Sequence, residues 1–225
     1  MKALRALAVL AASGFILAAS PAPNWNTTVA ENTGAHRLGN PQAEHTLIEF
    51  VSYTCPHCAT FEQQSEGALK MMFVHPGTMQ VEVRHTVRDV VDLTAAMLTR
   101  CGPADKFFGN HTAMMLAQPE WFAKGRALSD AQTARWRTGD MGSRRRAIAQ
   151  DLGLTDIMLA RGYDLPQINA CLTDDAAAQA ILAQSQADAQ TYGVKSTPSF
   201  VLDGELLEGT HGWAQLSQVL TQLDQ

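Results

Sequence analysis

Thr46-Leu47-Ile48-Glu49-Phe50-Val51-Ser52-Tyr53-Thr54-Cys55-Pro56-His57-Cys58 is the stretch that decides how this chain folds. Thr46 to Ser52 is nearly all apolar, as a central strand covered on both faces should be, and is predicted to be one. A helix is predicted from Pro56 to about Met72, with Phe61, Leu69, Met72 and Phe73 on its apolar side. His75-Pro76-Gly77 ends it. The first sulfur then stands at the mouth of a helix and the second lies one turn inside. Residues i and i+3 share a helix face, so the two Cβ atoms can reach the separation a disulfide needs. Pro56 falls at the first helical position, where its missing N–H is no loss. Cys55 becomes the cap residue, with unpaired N–H groups and the positive end of the macrodipole at its sulfur, which favours a thiolate. His57 adds a positive charge or a hydrogen-bond donor nearby and lowers the cysteine pKa further.

A Cys-x-x-Cys that follows a strand and opens a helix reads as a thioredoxin-like redox motif. The segment Ile48 to Cys58 resembles the active-site segment of the DsbA family of thiol–disulfide oxidoreductases. Gly193-Val194-Lys195-Ser196-Thr197-Pro198-Ser199-Phe200 resembles that family's Gly-Val-x-x-Thr-Pro-x-Phe loop. The order of the two motifs fits as well, and the resemblance runs roughly from Gly39 to the C-terminus. It implies an α/β chain with a thioredoxin-like fold and a large α-helical insertion.

The same resemblance implies roles for single residues. The Thr197–Pro198 bond, which sequence alone would make trans, is implied to be cis and to face the cysteine pair. Thr197 could then hydrogen-bond an extended substrate as an added strand, and its hydroxyl could contact the Cys55 sulfur. Lys195 reads as solvated. Glu49 is the one acid inside an apolar strand. By position it could equally be a solvated acid at a sheet edge. The resemblance implies that it lies buried beneath the cysteines and trades a proton with Cys58.

Four cysteines allow three pairings. Cys55 with Cys58 follows from their closeness, which leaves Cys101 and Cys171. The resemblance accommodates these as a structural disulfide in the helical region; two buried free thiols are the alternative.

Around these motifs the chain divides into four parts. Residues 1–20 read as a secretory signal peptide: Lys2 and Arg5 are followed by the apolar run Ala6 to Ala19, then Ser20, Pro21 and Ala22. An uncleaved anchor is the alternative. No cysteine follows the run to carry a lipid. Residues 21–38 read as a flexible lead-in, and Leu38 to Ala43 as a turn. Residues 39–91 and 192–225 form the thioredoxin-like domain. Within it, Met79 to Val87 alternates as a strand, with Met79, Val81 and Val83 on a drier face than Gln80, Glu82 and Arg84.

Residues 92–191 form the inserted helical domain. Helices are expected at about Asp92–Cys101, Ala104–Leu116, Ser129–Trp136, Arg144–Leu152, Thr155–Arg161 and Thr173–Tyr192. Phe107, Phe108, Met114, Met115, Trp121 and Phe122 read as core. Asp203-Gly204 predicts a hairpin between Ser199–Leu202 and Glu205–Glu208. Trp213, Leu216, Leu220 and Leu223 mark a last amphipathic helix.

The chain has 225 residues and a formal charge of −5, or −7 without Lys2 and Arg5. This argues against nucleic acid as a partner, and Arg144-Arg145-Arg146 reads as a solvated helix face. A signal peptide with four cysteines points to an oxidising compartment, the periplasm or another extracytoplasmic space. The resulting expectation is a monomer that donates its Cys55–Cys58 disulfide to exported, partly folded dithiol proteins. It needs no bound cofactor, and a quinone-linked membrane partner of the DsbB type is expected to reoxidise it. A disulfide isomerase or reductase of the same fold and a chaperone-like binding module are the rivals. The isomerase usually carries an N-terminal dimerisation domain, and a pure binding module does not need the cysteine pair. A zinc site from Cys55, His57 and Cys58 lacks the usual two separated ligand pairs. His36, His45, His85, His111 and His211 have no evident partner and read as surface or structural.

Overall fold

A computed structural model describes residues 23–32 and 34–223; the signal-peptide reading falls outside these. The strands are β1 (Val29–Asn32), β2 (Ala35–Gly39), β3 (His45–Val51), β4 (Met79–His85), β5 (Ser199–Leu202) and β6 (Glu205–Leu206). They form one sheet in the order β1-β2-β4-β3-β5-β6. β3 lies at its centre, parallel to β4 and antiparallel to β5, with Glu49 opposite Val83 on one side and Phe200 on the other. Side chains alternate along a strand. Glu49 therefore shares a face with Leu47, whose cluster holds Phe61 of α1 (Pro56–Leu69), Phe200 and Leu216, while Ile48 and Phe50 pack on the opposite side with Val194 and Val201. Phe61 and Phe200 meet at 4.7 Å between ring centroids.

Between β4 and β5 the chain is helical. The helices are α2 (Val90–Thr99), α3 (Phe107–Leu116), α4 (Gln118–Arg126), α5 (Asp130–Arg135), α6 (Met141–Leu152), α7 (Leu154–Ala160), α8 (Leu165–Thr173) and α9 (Asp175–Tyr192); α10 (Trp213–Leu220) follows the last strands. Carboxylate caps fix several starts: Asp89 accepts from the Asp92 N–H, Asp140 from Ser143, Asp164 from Gln167 and Asp174 from Ala177. The insert has its own core of Leu98, Met114, Met115, Trp121, Ile148 and Leu172, which runs on without a break into Tyr53, Cys55 and Cys58. Cys101 is bonded to Cys171, 70 residues away, with 5.7 Å between the Cα atoms. Asp203 and Gly204 both take positive φ, as the two central residues of a type I′ hairpin turn do.

Several expectations need correction. Residues 21–38 are not a loose lead-in along their whole length, because β1 and β2 form a hairpin and β2 pairs with β4. That segment shows no clean alternation, since its buried members include His36. The second face of β4 is not wet: Gln80 and Glu82 are buried, and Glu82 is held by Arg37 and Arg84. Helices α4 and α8 are not among the expected ones; Pro119 and Pro166 each stand in a first helical turn. Arg145 is 2% exposed rather than solvated; it donates to the Leu172 carbonyl and pairs with Asp175. Met72 is 51% exposed. A π-helical turn at Lys70–Val74 takes it off the apolar side of α1.

Candidate active site

Cys55 stands at the N-cap of α1 in an extended conformation, and Pro56 opens the helix. The N–H groups of Cys58 and Ala59 return to the Cys55 carbonyl, at 3.1 and 3.4 Å. The two thiols are free and nearly enclosed, 3% and 1% exposed. The Thr197–Pro198 peptide is cis, and the Cys55 thiol donates to the Thr197 carbonyl at 3.1 Å. Sheet and helix thus meet at one point, where β3 delivers the cysteine pair and the turn before β5 delivers the Thr-Pro loop.

The two sulfurs differ sharply in acidity. The Cys55 thiol is pulled down to about 5, chiefly because the Cys58 thiol donates to it. Burial opposes this, while Thr197 and the backbone N–H groups of Cys58 and His57 assist. Cys58 is pushed far up, first by burial and then by its bond to Cys55 and the charge there. A low-pKa thiolate beside a high-pKa partner gives one good leaving group and one sulfur that needs a proton to leave. The His57 ring is exposed. The structure brings Cys55, Cys58, Pro56, His57, Thr197 and Pro198 together.

Glu49 lies on β3 and is 3% exposed. Burial, and next the charge of Glu62, pushes its carboxyl up to about 8. It is therefore protonated at neutral pH. Glu49 and Glu62 line one small cavity of about 30 Å³ with Ser65, His111 and Thr112, room for one or two waters. Glu62 sits on α1 one helical turn beyond Cys58. Burial pushes its carboxyl up, but His111 and Thr112 outweigh this and hold it below the usual range. Thr112 donates to it at 2.6 Å, and His111 Nε2 lies at 3.4 Å.

The helical insert also grips the turn that precedes Cys55. Asp92 of α2 accepts from the Ser52 hydroxyl at 2.6 Å and from the Tyr53 N–H at 2.8 Å. The Gln118 amide donates to the carbonyls of Tyr53 at 2.6 Å and Cys55 at 3.0 Å. The Tyr53 hydroxyl donates to Thr99 at 3.0 Å and lies 2.8 Å from His111 Nδ1. Sequence reading missed Asp92, Gln118, Glu62 and His111 as parts of the site. Only Glu62 left a signal, since i+4 spacing from Cys58 puts it on the same helix face. Of the histidines set aside, His36, His85 and His111 are buried. His211 has a partner, with Nδ1 2.9 Å from the Pro198 carbonyl. Among the described residues, no group of three or more His, Cys, Asp or Glu side chains could hold a metal ion, and no helix is long and apolar enough to cross a membrane.

A family model described as thioredoxin matches residues 31–222. A protein-disulfide isomerase from Novosphingobium aromaticivorans of known structure is 46% identical, with a TM-score of 0.80 over 86% of this chain and 99% of that one. Alpha-DsbA1 from Wolbachia pipientis shares the fold at 21% identity, with a TM-score of 0.66 over 83% of this chain and 89% of that one. A provisionally named protein-disulfide oxidoreductase from Rickettsia typhi is 28% identical over 74% of this chain and 54% of its own length. The chain spans about half the length of the curated relatives it matches.

Proposed function

The chain belongs to the thioredoxin family, in the DsbA-like form with a helical insert, and from that premise we propose that it is a thiol–disulfide oxidoreductase that oxidises dithiols in exported, partly folded proteins. The observation that carries this reading is geometric: Cys55 caps α1 with Cys58 one turn inside, and the carbonyl before the cis Thr197–Pro198 bond lies 3.1 Å from the Cys55 sulfur. The same arrangement lowers the Cys55 thiol and raises that of Cys58. A substrate thiolate attacks Cys55 Sγ of the disulfide. The Cys55–Cys58 bond breaks, a mixed disulfide forms, and the electron pair leaves on Cys58, which takes up a proton. Glu49 is the donor of that proton, since its carboxyl carries one at neutral pH. A second substrate thiolate then attacks the substrate sulfur of the mixed disulfide and releases Cys55 as a stable thiolate. The substrate gains a disulfide, and the enzyme is left with two reduced cysteines.

The thiolate of Cys55 weakens the enzyme's own disulfide, because reduction releases a favoured anion. Thr197 presents its backbone beside the sulfur, where an extended client could add as a strand. His57, exposed at the second position of α1, adds donor character at the same rim. A quinone-linked membrane protein of the DsbB type is the proposed reoxidant, the periplasm or a similar space the proposed setting, and a monomer the proposed state.

The test is to mix the oxidised chain with a reduced, unfolded dithiol protein. Stoichiometric disulfide formation in the client is expected, abolished in Cys55→Ser; Cys58→Ser, with Cys55 first charged as its mixed disulfide with glutathione, should exchange it for a mixed disulfide with a single-thiol client, releasing glutathione. No transfer, or no release of glutathione, would contradict it. Isomerisation is the second reading, favoured by the name of the Novosphingobium protein. Reactivation of a client with scrambled disulfides faster than oxidation of a reduced one would put that reading first.

A further inference from the structure

The three carbonyl groups of the loop before β5 are each engaged by a different donor. The Ser199 hydroxyl donates to Ser196 at 2.8 Å, and the Cys55 thiol to Thr197 at 3.1 Å. The third, that of Pro198, lies 2.9 Å from His211 Nδ1. A carbonyl can only accept, so this contact puts a proton on Nδ1. His211 comes from the segment between β6 and α10. That segment is itself tied down: the Leu207 N–H donates to the Phe200 carbonyl at 2.9 Å, and the Thr210 N–H to Leu207 at 3.2 Å. The imidazole is thus carried by a piece of chain pinned to β5 two residues beyond Pro198. Its ring is exposed at the rim of the Thr197–Pro198 loop, and the oxidation step itself makes no use of it.

We propose that His211 is a positioning residue for extended clients. Its Nδ1–H fixes the plane of the peptide after Pro198, and so the direction in which Thr197 presents its backbone to an added strand. It therefore sets the preference for a peptide dithiol over a small one. This rests on the proposed reading that clients dock along Thr197. A small dithiol needs only the sulfur of Cys55, whereas an extended peptide needs the sulfur and the loop backbone in register. The contribution of His211 should fall on the peptide alone, and on KM before kcat.

The test compares a dithiol peptide with dithiothreitol as substrates, with glutathione disulfide as terminal oxidant. His211→Phe keeps a ring and removes the donor. His211→Asn places an amide N–H near the position of Nδ1. The ratio of kcat/KM for peptide to that for dithiothreitol is expected to fall about three- to tenfold in His211→Phe, the size of one neutral hydrogen bond. The fall should come through KM, and His211→Asn should recover most of it. An unaltered ratio, an equal loss on both substrates, or an Asn variant no better than Phe would overturn the inference while leaving the oxidase reading intact. A wild-type chain that oxidises neither substrate would remove both.

Discussion

The side-chain amide of Gln118 donates to the backbone carbonyl of Cys55 across 3.0 Å, and its other partner is the Tyr53 carbonyl at 2.6 Å. Both amide hydrogens are thereby used by the turn that carries Cys55. The helical insert is therefore part of the redox site's geometry, because Gln118 opens α4 and is buried.

Gln118→Met should keep the packing and lose both bonds. The Cys55 carbonyl keeps the N–H groups of Cys58 and Ala59, but the buried Tyr53 carbonyl loses its donor, at a cost on the order of 1–3 kcal/mol. With the cap residue less firmly held, the Cys55 thiolate should titrate higher than in the wild type. Thiolate absorbance against pH reads this directly, and an unmoved midpoint in a destabilised variant would reduce Gln118 to a packing role.

Glu49 supplies a second expectation. Its carboxyl, raised to about 8, carries a proton below that pH and loses it above. If it protonates the departing Cys58, oxidation of a dithiol should slow as pH rises through 8. Glu49→Gln should be slower at neutral pH, by the order of 100-fold typical of a general acid, and should lack that inflection. Stopped-flow fluorescence across roughly pH 6–9, the window that brackets that value, makes the measurement; equal rates in the two proteins would remove Glu49 from the step.

The buried histidines predict acid sensitivity. His36 is pulled down to about 3, mainly by burial and then by the charges of Arg100 and His111, and its stacking partner is Phe107 at 3.9 Å. The unfolded chain binds a proton at His36 below an ordinary histidine pKa, and the folded chain does not. Stability from this residue is thus full above about 6.5 and is lost as pH falls from there towards 3, at roughly 1 kcal/mol per pH unit. His36→Phe should unfold less steeply with falling pH in urea titrations. Parallel curves for the two proteins would contradict this.

The Cys101–Cys171 bond closes a long loop, its ends 70 positions apart in sequence. In the chain-entropy model this is worth about 4 kcal/mol. The double variant Cys101→Ala/Cys171→Ala should lose up to that amount in denaturant unfolding, and a loss near zero would show that the unfolded chain is already compact.

Much of this was legible in the sequence, and for local reasons. An apolar run, a Cys-x-x-Cys and a proline at a first helical turn fix β3 and α1, since each acts within a few residues. Asp203-Gly204 announces its turn in the same way. The β1–β2 hairpin was not legible, because its buried face includes His36 packed on Phe107, a contact made 71 positions away in sequence. Arg145 looked solvated because a charge run gives no hint that the carbonyl end of α8 will meet it. Gln118 and His211 are polar residues without a motif. Their partners are backbone carbonyls brought near by tertiary structure, and no residue pattern encodes that.

The central claim is that Cys55 is a stabilised thiolate whose release makes the disulfide oxidising. Its most direct test is the reduction potential of Cys55–Cys58, measured by equilibration with glutathione as a function of pH. With Cys55 ionised above pH about 5, reduction takes up two electrons and one proton there, so the potential should fall by about 30 mV per pH unit, against about 59 for an ordinary dithiol. At neutral pH it should lie well above the thioredoxin value of about −270 mV, towards the −120 mV or so of a strong oxidant. A value near −270 mV with the steeper slope would contradict the account and make this protein a reductant.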